Sequence, residues 1–246
     1  MSLPNLDRLC RSFFLVLAVA FLSPLVLGQR AADQARSSSN PVSAISRTTP
    51  FEYGVFADGG LGTNNRDNYH FFNLGMHAGK VLTGPVGTGW LRGQFEYGAE
   101  VMPFWQAYTP VMERTNCYQV AGETAYCIGG FKTGGTYSGV SIVPIILRWN
   151  LVHGRRWMPW IQGAGGMIWT NHKFPPVGPR PAPGHLGTSV FNFTPQFGVG
   201  AHYFLRPRQS IDFSANAMHI SNSSLGDANP GVNATVQFAV GYTWWR

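Results

Sequence analysis

From Phe51 to the end of the chain, apolar and polar residues alternate with a period of two in eight separate runs. Successive side chains on a strand point to opposite faces, so each run predicts a strand with one greasy face and one polar face. The runs are Phe51–Ala57, Tyr69–Val81, Leu91–Pro103, Tyr137–Trp149, Met158–Trp169, Val190–Phe204, Gln209–His219 and Val232–Trp245. In the third, Leu91, Phe95, Tyr97, Ala99 and Val101 share one face, and Arg92, Gln94, Glu96 and Glu100 share the other. The last run sets Val232, Ala234, Val236, Phe238, Val240, Tyr242 and Trp244 against Asn233, Thr235, Gln237 and Thr243. An even number of long strands, apolar outside and polar inside, predicts an all-β fold, an eight-stranded antiparallel transmembrane β-barrel. Arg92, Glu96 and Glu100 would be costly in a dry core and are tolerable when paired in a polar lumen. A soluble lipocalin-like barrel, with its apolar faces turned inward, has the same periodicity and stays open. The aromatic end, Tyr242-Thr243-Trp244-Trp245, favours the membrane, although Arg246 closes the chain.

The connections between runs alternate in length. Those at Asp58–Asn68, Phe104–Thr136, Thr170–Ser189 and Ile220–Gly231 are long, and those at Leu82–Trp90, Asn150–Trp157 and Leu205–Arg208 are short. Long loops outside and short periplasmic turns are the usual asymmetry of outer-membrane barrels.

Ahead of the runs, Arg8 and Arg11 precede an apolar stretch, Phe13–Leu27, that ends at Gly28. A basic start, a short apolar core and a small residue predict a cleaved export signal over residues 1–28. The stretch is interrupted by Ser23-Pro24 and is short for a spanning helix. Residues 29–50 are expected to be a flexible leader, and residues 51–246 the barrel. Cys10 falls in the signal. Cys117 and Cys127, an even pair in an exported chain, are expected to form a disulfide in the longest outside loop.

Composition agrees with a patterned membrane protein. Only 12% of residues are charged, 14% are aromatic, 30 are glycine, and the mean hydropathy is −0.05. The formal charge of +7 suits an anionic lipid surface. No nucleic-acid motif accompanies it, so no nucleic-acid partner is expected. His70, His77, His153, His172, His185 and His202 lack the clustering of a metal site, and neither metal nor cofactor is expected. Gly163, Gly165 and Gly166 lie in strand-like sequence and read as barrel packing or as a groove beside a small-residue surface, not as a phosphate loop. Lys132 and Lys173, in outside loops, are better placed for lipid phosphates than Arg155, Arg156, Arg206 and Arg208, which fall in periplasmic turns.

Candidate chemistry sits in Met218–Asn233, MHISNSSLGDANPGVN. His219 and Ser221 stand two apart and share a face, so they can meet as base and nucleophile. Their parity is that of Ile211, Phe213, Ala215 and Ala217, opposite to Asp212, Ser214 and Asn216. A base and a hydroxyl on the greasy face make sense on the outside of a membrane barrel, at its rim.

His219-Ile220-Ser221-Asn222 followed by Asn229-Pro230-Gly231 resembles the active-site segment of the lipid A 3-O-deacylase (acyloxyacyl hydrolase) family. That resemblance implies an eight-stranded outer-membrane barrel in which His219 is the base and Ser221 the nucleophile. It also implies that Asn229 helps hold the oxyanion, with Asn222 in support. The family's third catalytic group, a glutamate, falls on Asn233 here. An amide oxygen can still accept the imidazole N–H, as in Cys-His-Asn enzymes, and the outer-membrane phospholipase A family also looks like this, with His-x-Ser and an orienting Asn. Asp227 is the nearby acidic substitute. Simple parity sets Asn233 on the polar face, opposite His219, unless a bulge re-aims it.

The expected activity is therefore a serine esterase that removes an ester-linked acyl chain from lipid A, remodelling lipopolysaccharide in the outer leaflet. A phospholipase, or a non-catalytic structural or adhesin barrel, is the competing reading. The partners expected are the membrane and its lipid A, and a homodimer remains open.

Overall fold

The computed structural model describes residues 40–118, 126–176, 189–226 and 233–246. Nine strand segments follow one another: β1 (Phe51–Gly62), β2 (His70–Val81), β3 (Gly93–Tyr118), β4 (Tyr126–Leu151), β5 (Trp157–Phe174), β6 (Ser189–Phe193), β7 (Gln196–Arg206), β8 (Gln209–His219) and β9 (Ala234–Trp245). Each pairs antiparallel with its neighbours, and β9 returns to β1 in register from Glu52↔Trp245 to Gly62↔Thr235. Segments β6 and β7 both lie on β5 without a change of register. Phe193 faces Met167, Thr194 exchanges both backbone hydrogen bonds with Gly166, and Gln196 faces Ala164. They are one stave, so the nine segments make a closed eight-stranded barrel. Closure pairs the staves on both sides in the barrel wall, and the hairpin extension of β3 and β4, past Tyr108 and before Gly139, is paired on one side only.

The faces of the staves decide between lipid and water outside. Phe197, Val199, Phe213, Phe238 and Val240 point outward and are exposed, Phe238 by 63%. Gln94, Glu96, Asn150, Gln237 and Thr243 point inward and are buried. A lipocalin-like barrel requires the reverse. An apolar band of this extent matches lipid tails and would be a liability in water.

The lumen is filled in three layers. At the end carrying Asn40 and Arg246, Val42 and Ile45 pack with Val81, Met158, Phe204 and Trp245. The middle is polar and is organised by Arg148. Its Nη1 donates to Glu52 Oε1 at 2.9 Å and to Glu96 Oε1 at 3.1 Å, and its Nε donates to Gln162 Oε1 at 3.0 Å. The guanidinium lies over the Trp160 ring at 4.6 Å. Nearby, His202 Nδ1 pairs with Asp212 Oδ1 at 2.6 Å, and Asp212 also accepts from Ser210 and Thr243. Beneath the far rim, Phe71, Trp105, Tyr137 and Phe174 form an aromatic layer that also takes in Met218 and Ile220.

Four expectations need correction. The leader is not flexible throughout: Pro41–Ser46 form a helix, α1, capped by Asn40 Oδ1 accepting from Ser43 N–H at 2.9 Å. Val42 and Ile45, three apart on one helical face, bury in the lower lumen, and that contact orders the segment. The predicted loop Phe104–Thr136 is largely a hairpin, because β3 continues to Tyr118 and β4 begins at Tyr126. Likewise β5 runs on to Phe174. Arg92 is exposed beside a short 3-10 turn, Gly89–Leu91, and does not join the lumen pairs. Within the hairpin Cys117 stands directly opposite Cys127, and Cys127 is disulfide-bonded. The predicted signal and residues 29–39 lie outside the described residues.

Candidate active site at the far rim

β8 carries the site outward by its own alternation. Met218, Ile220 and Asn222 are buried on the inner side, and the interleaved His219 and Ser221 are half-exposed on the outer side. Residues two apart on one strand face are roughly 6.5–7 Å apart at Cα, close enough for side chains to meet. The strand ends at His219, and Ser221 continues it through a two-way bridge with Phe193, whose hydrogen bonds are 2.7 and 3.1 Å.

A tight turn follows at once. Asn222 Oδ1 accepts from Ser224 N–H at 2.9 Å, and Asn222 O accepts from Leu225 N–H at 2.9 Å. Ser223 and Ser224 adopt left-handed φ values of 52° and 63°, a strained conformation for residues with a Cβ. The turn brings Ser223 N–H to within 3.3 Å of Ser221 Oγ, which accepts from it. Asn222 therefore shapes the backbone that presents the serine.

Asn233 lies just before β9, on the buried row with Thr235 and Gln237. Its backbone oxygen accepts from Ile220 N–H at 2.8 Å, and the next residue, Ala234, is the pair partner of His219. Both side-chain amide atoms of Asn233 are buried and lack a hydrogen-bond partner among the described residues. The structure thus brings His219 and Ser221 to one outer face, whereas the side chain of Asn233 lies on the inner face, its amide without a partner among the described residues. Asp227 and Asn229 lie outside the described residues.

Around His219 the outer surface is hollow. Gly163, Pro195, Phe197, Ala217, His219 and Ala234, with Ala164, Gln196 and Met218 beneath, line an open groove of about 500 Å³. A Cβ placed at Gly163 or at Gly165 would meet nothing within 4 Å, so the missing side chains are what open the space. Sequence reasoning flagged these glycines as a small-residue surface but did not join them to His219. It passed over Pro195, whose signal was a proline in phase inside a strand run.

A closed barrel with an apolar outer band and a polar lumen defines a class, the outer-membrane β-barrel, and this one carries a histidine and a serine on its lipid-facing rim beside a groove. The family profile for lipid A 3-O-deacylase (PagL) matches residues 92–243, a span that includes His219, Ser221, Asn229 and Asn233. The chain belongs to that family, and with it to the outer membrane. Among solved structures it is similar to the outer membrane enzyme PagL, at 14% identity over 78% of this chain and 98% of that one, with a TM-score of 0.42. It is also similar to Neisserial surface protein A (10% identity, 79% and 96% covered, TM-score 0.45). A third is Ail, the attachment invasion locus protein of Yersinia pestis (8% identity, 80% and 97% covered, TM-score 0.36). No curated protein matches by sequence.

Proposed function

We propose that this protein is a serine esterase that releases an ester-linked acyl chain from lipid A at the outer leaflet. The observation that carries the reading is the pair His219 and Ser221 on the lipid-facing side of β8, beside a groove floored by glycine and alanine. Ser221 Oγ attacks the acyl carbonyl while His219 takes its proton, and His219 then gives that proton to the departing sugar hydroxyl. A water molecule attacks the acyl-serine, passes a proton through His219 to Ser221 Oγ, and leaves the free fatty acid. Asn229 supplies a donor to the tetrahedral oxyanion, and Asn222 supports it by fixing the turn after Ser221. Asn233 orients the imidazole: its Oδ1 needs a donor, and Ala234 next to it pairs with His219. This requires the backbone at the start of β9 to turn the amide outward.

The acyl chain lies in the groove, over Gly163 and Ala217 and against Phe197. Incubating the purified barrel with lipid A and with glycerophospholipid, followed by mass spectrometry of both, should show loss of one acyl chain from lipid A only. Loss from the phospholipid instead would make the protein a phospholipase, and no loss from either would make it a non-catalytic barrel. Gly163→Phe tests the groove separately. It should lower kcat/KM about tenfold for long-chain esters and little for short ones, because the ring fills space that several methylenes would occupy. Assembly, read as heat-modifiable migration on gels, should not change.

A further inference from the structure

The stave formed by β6 and β7 is bonded to β8 through two-way pairs at alternate residues. Phe193 and Ser221 exchange both bonds, and Phe197 and Ala217 occupy the next such position but one. Between them Pro195 faces His219. The carbonyl of Pro195 accepts from His219 N–H at 2.9 Å, but a proline has no N–H to return. The other edge of His219 cannot compensate. Ile220 N–H bonds Asn233 O, so His219 and Ala234 form a pair without hydrogen bonds, and the His219 carbonyl points toward Pro195. That carbonyl therefore lacks the ladder donor that any other residue at position 195 would supply.

Proline inside a strand is normally accommodated at an edge, a bulge or a strand end. The other strand prolines follow the rule. Pro103, Pro110 and Pro144 fall at register shifts, and Pro159 lies just past the last β4–β5 pair, Asn150↔Trp160. Pro195 alone among them sits in an unbroken register, between Gly165 and His219, in the barrel wall where staves are paired on both sides. A backbone oxygen left unpaired at a lipid-facing position is costly, and here it belongs to the residue proposed as base, in the floor of the groove.

We propose that the carbonyl oxygen of His219 is a hydroxyl-binding point of the active groove and that Pro195 is the positioning residue that keeps it free. The inference rests on the esterase reading. The hydroxyl is either that of the water which hydrolyses the acyl-enzyme or one carried by the substrate's own chain, since both are donors of the same kind.

The test compares the mature barrel with Pro195→Ala, which restores the N–H and closes the ladder bond onto the carbonyl. The added bond favours assembly, and heat-modifiable migration verifies it. A second variant carries lactic acid at position 195, with the shape of alanine and no N–H. The substrates are p-nitrophenyl palmitate and its 3-hydroxy analogue. Pro195→Ala should lose about fivefold in turnover, the worth of one neutral hydrogen bond, and the lactic acid variant should keep the native rate. Loss on both esters, with a burst of nitrophenol as acyl-enzyme accumulates, assigns the hydroxyl to water. Loss on the 3-hydroxy ester alone assigns it to the substrate. Unchanged rates in Pro195→Ala, or equal loss in the alanine and lactic acid variants, would overturn the proposal while leaving the esterase intact. A native barrel inactive on both esters and on lipid A would remove the esterase reading itself.

Discussion

Ser221→Ala and His219→Ala should each lower acyl release from lipid A by about a thousandfold or more, and the double variant should be no worse than either alone. The nucleophile and its base act as a unit, so removing one already forfeits what the pair supplies. Neither change should disturb the fold, because both side chains point away from the lumen and their backbone bonds remain. Asn233→Ala should cost less, about tenfold to a hundredfold, since an amide stabilises the imidazolium less than a carboxylate does. Asn233→Glu should retain or raise the rate. The comparison is kinetic, on refolded barrels of equal folded fraction in mixed micelles. A silent Asn233→Ala beside an inactive Asp227→Ala would hand the orienting role to Asp227.

The second large effect lies in the lumen. Arg148→Leu should destabilise the barrel by about 3–5 kcal/mol, because it strands the Glu52 and Glu96 carboxylates in a buried layer without their cation. Removing the charges together should be far milder, so Arg148→Leu combined with Glu52→Gln and Glu96→Gln should recover most of the loss. Urea unfolding in detergent, followed by tryptophan fluorescence, reads the difference. Equal destabilisation of the single and triple variants would show that packing on Trp160, not charge, is what Arg148 provides. The activity per folded molecule should stay near the native value in each, because Arg148 belongs to the lumen and the candidate chemistry to the outer face.

The barrel was legible in the sequence wherever alternation runs unbroken. The outer row of β9 and the outer parity of His219 and Ser221 follow directly from period two, and so does the inner row that takes Asn233. The hairpin was hidden because its strands reset their phase. A bulge between Met102 and Trp105 moves the buried positions from even to odd, a second between Thr109 and Met112 breaks that phase again, and Pro103 and Pro110 suggest loop at the same places. Helix α1 carried signals that composition masked: Asn40 as N-cap, Pro41 in the first turn, and Val42 and Ile45 on one face. Glu96 was recognisable as a lumen charge, whereas Arg148, near the end of β4, gave no local sign that it would reach Glu52, far from it in sequence. The groove could not be read from one strand, since Gly163, Phe197, Ala217 and Ala234 come from four.

The most direct test of the account is where a long-chain fluorophosphonate attaches. Such a reagent imitates an acyl ester and is trapped by an activated serine. Intact-mass analysis and peptide mapping of the treated barrel should find one adduct, on Ser221, absent from His219→Ala and suppressed by prior incubation with lipid A. A barrel that deacylates lipid A while Ser221 stays unmodified, or whose adduct maps to another residue, would contradict it.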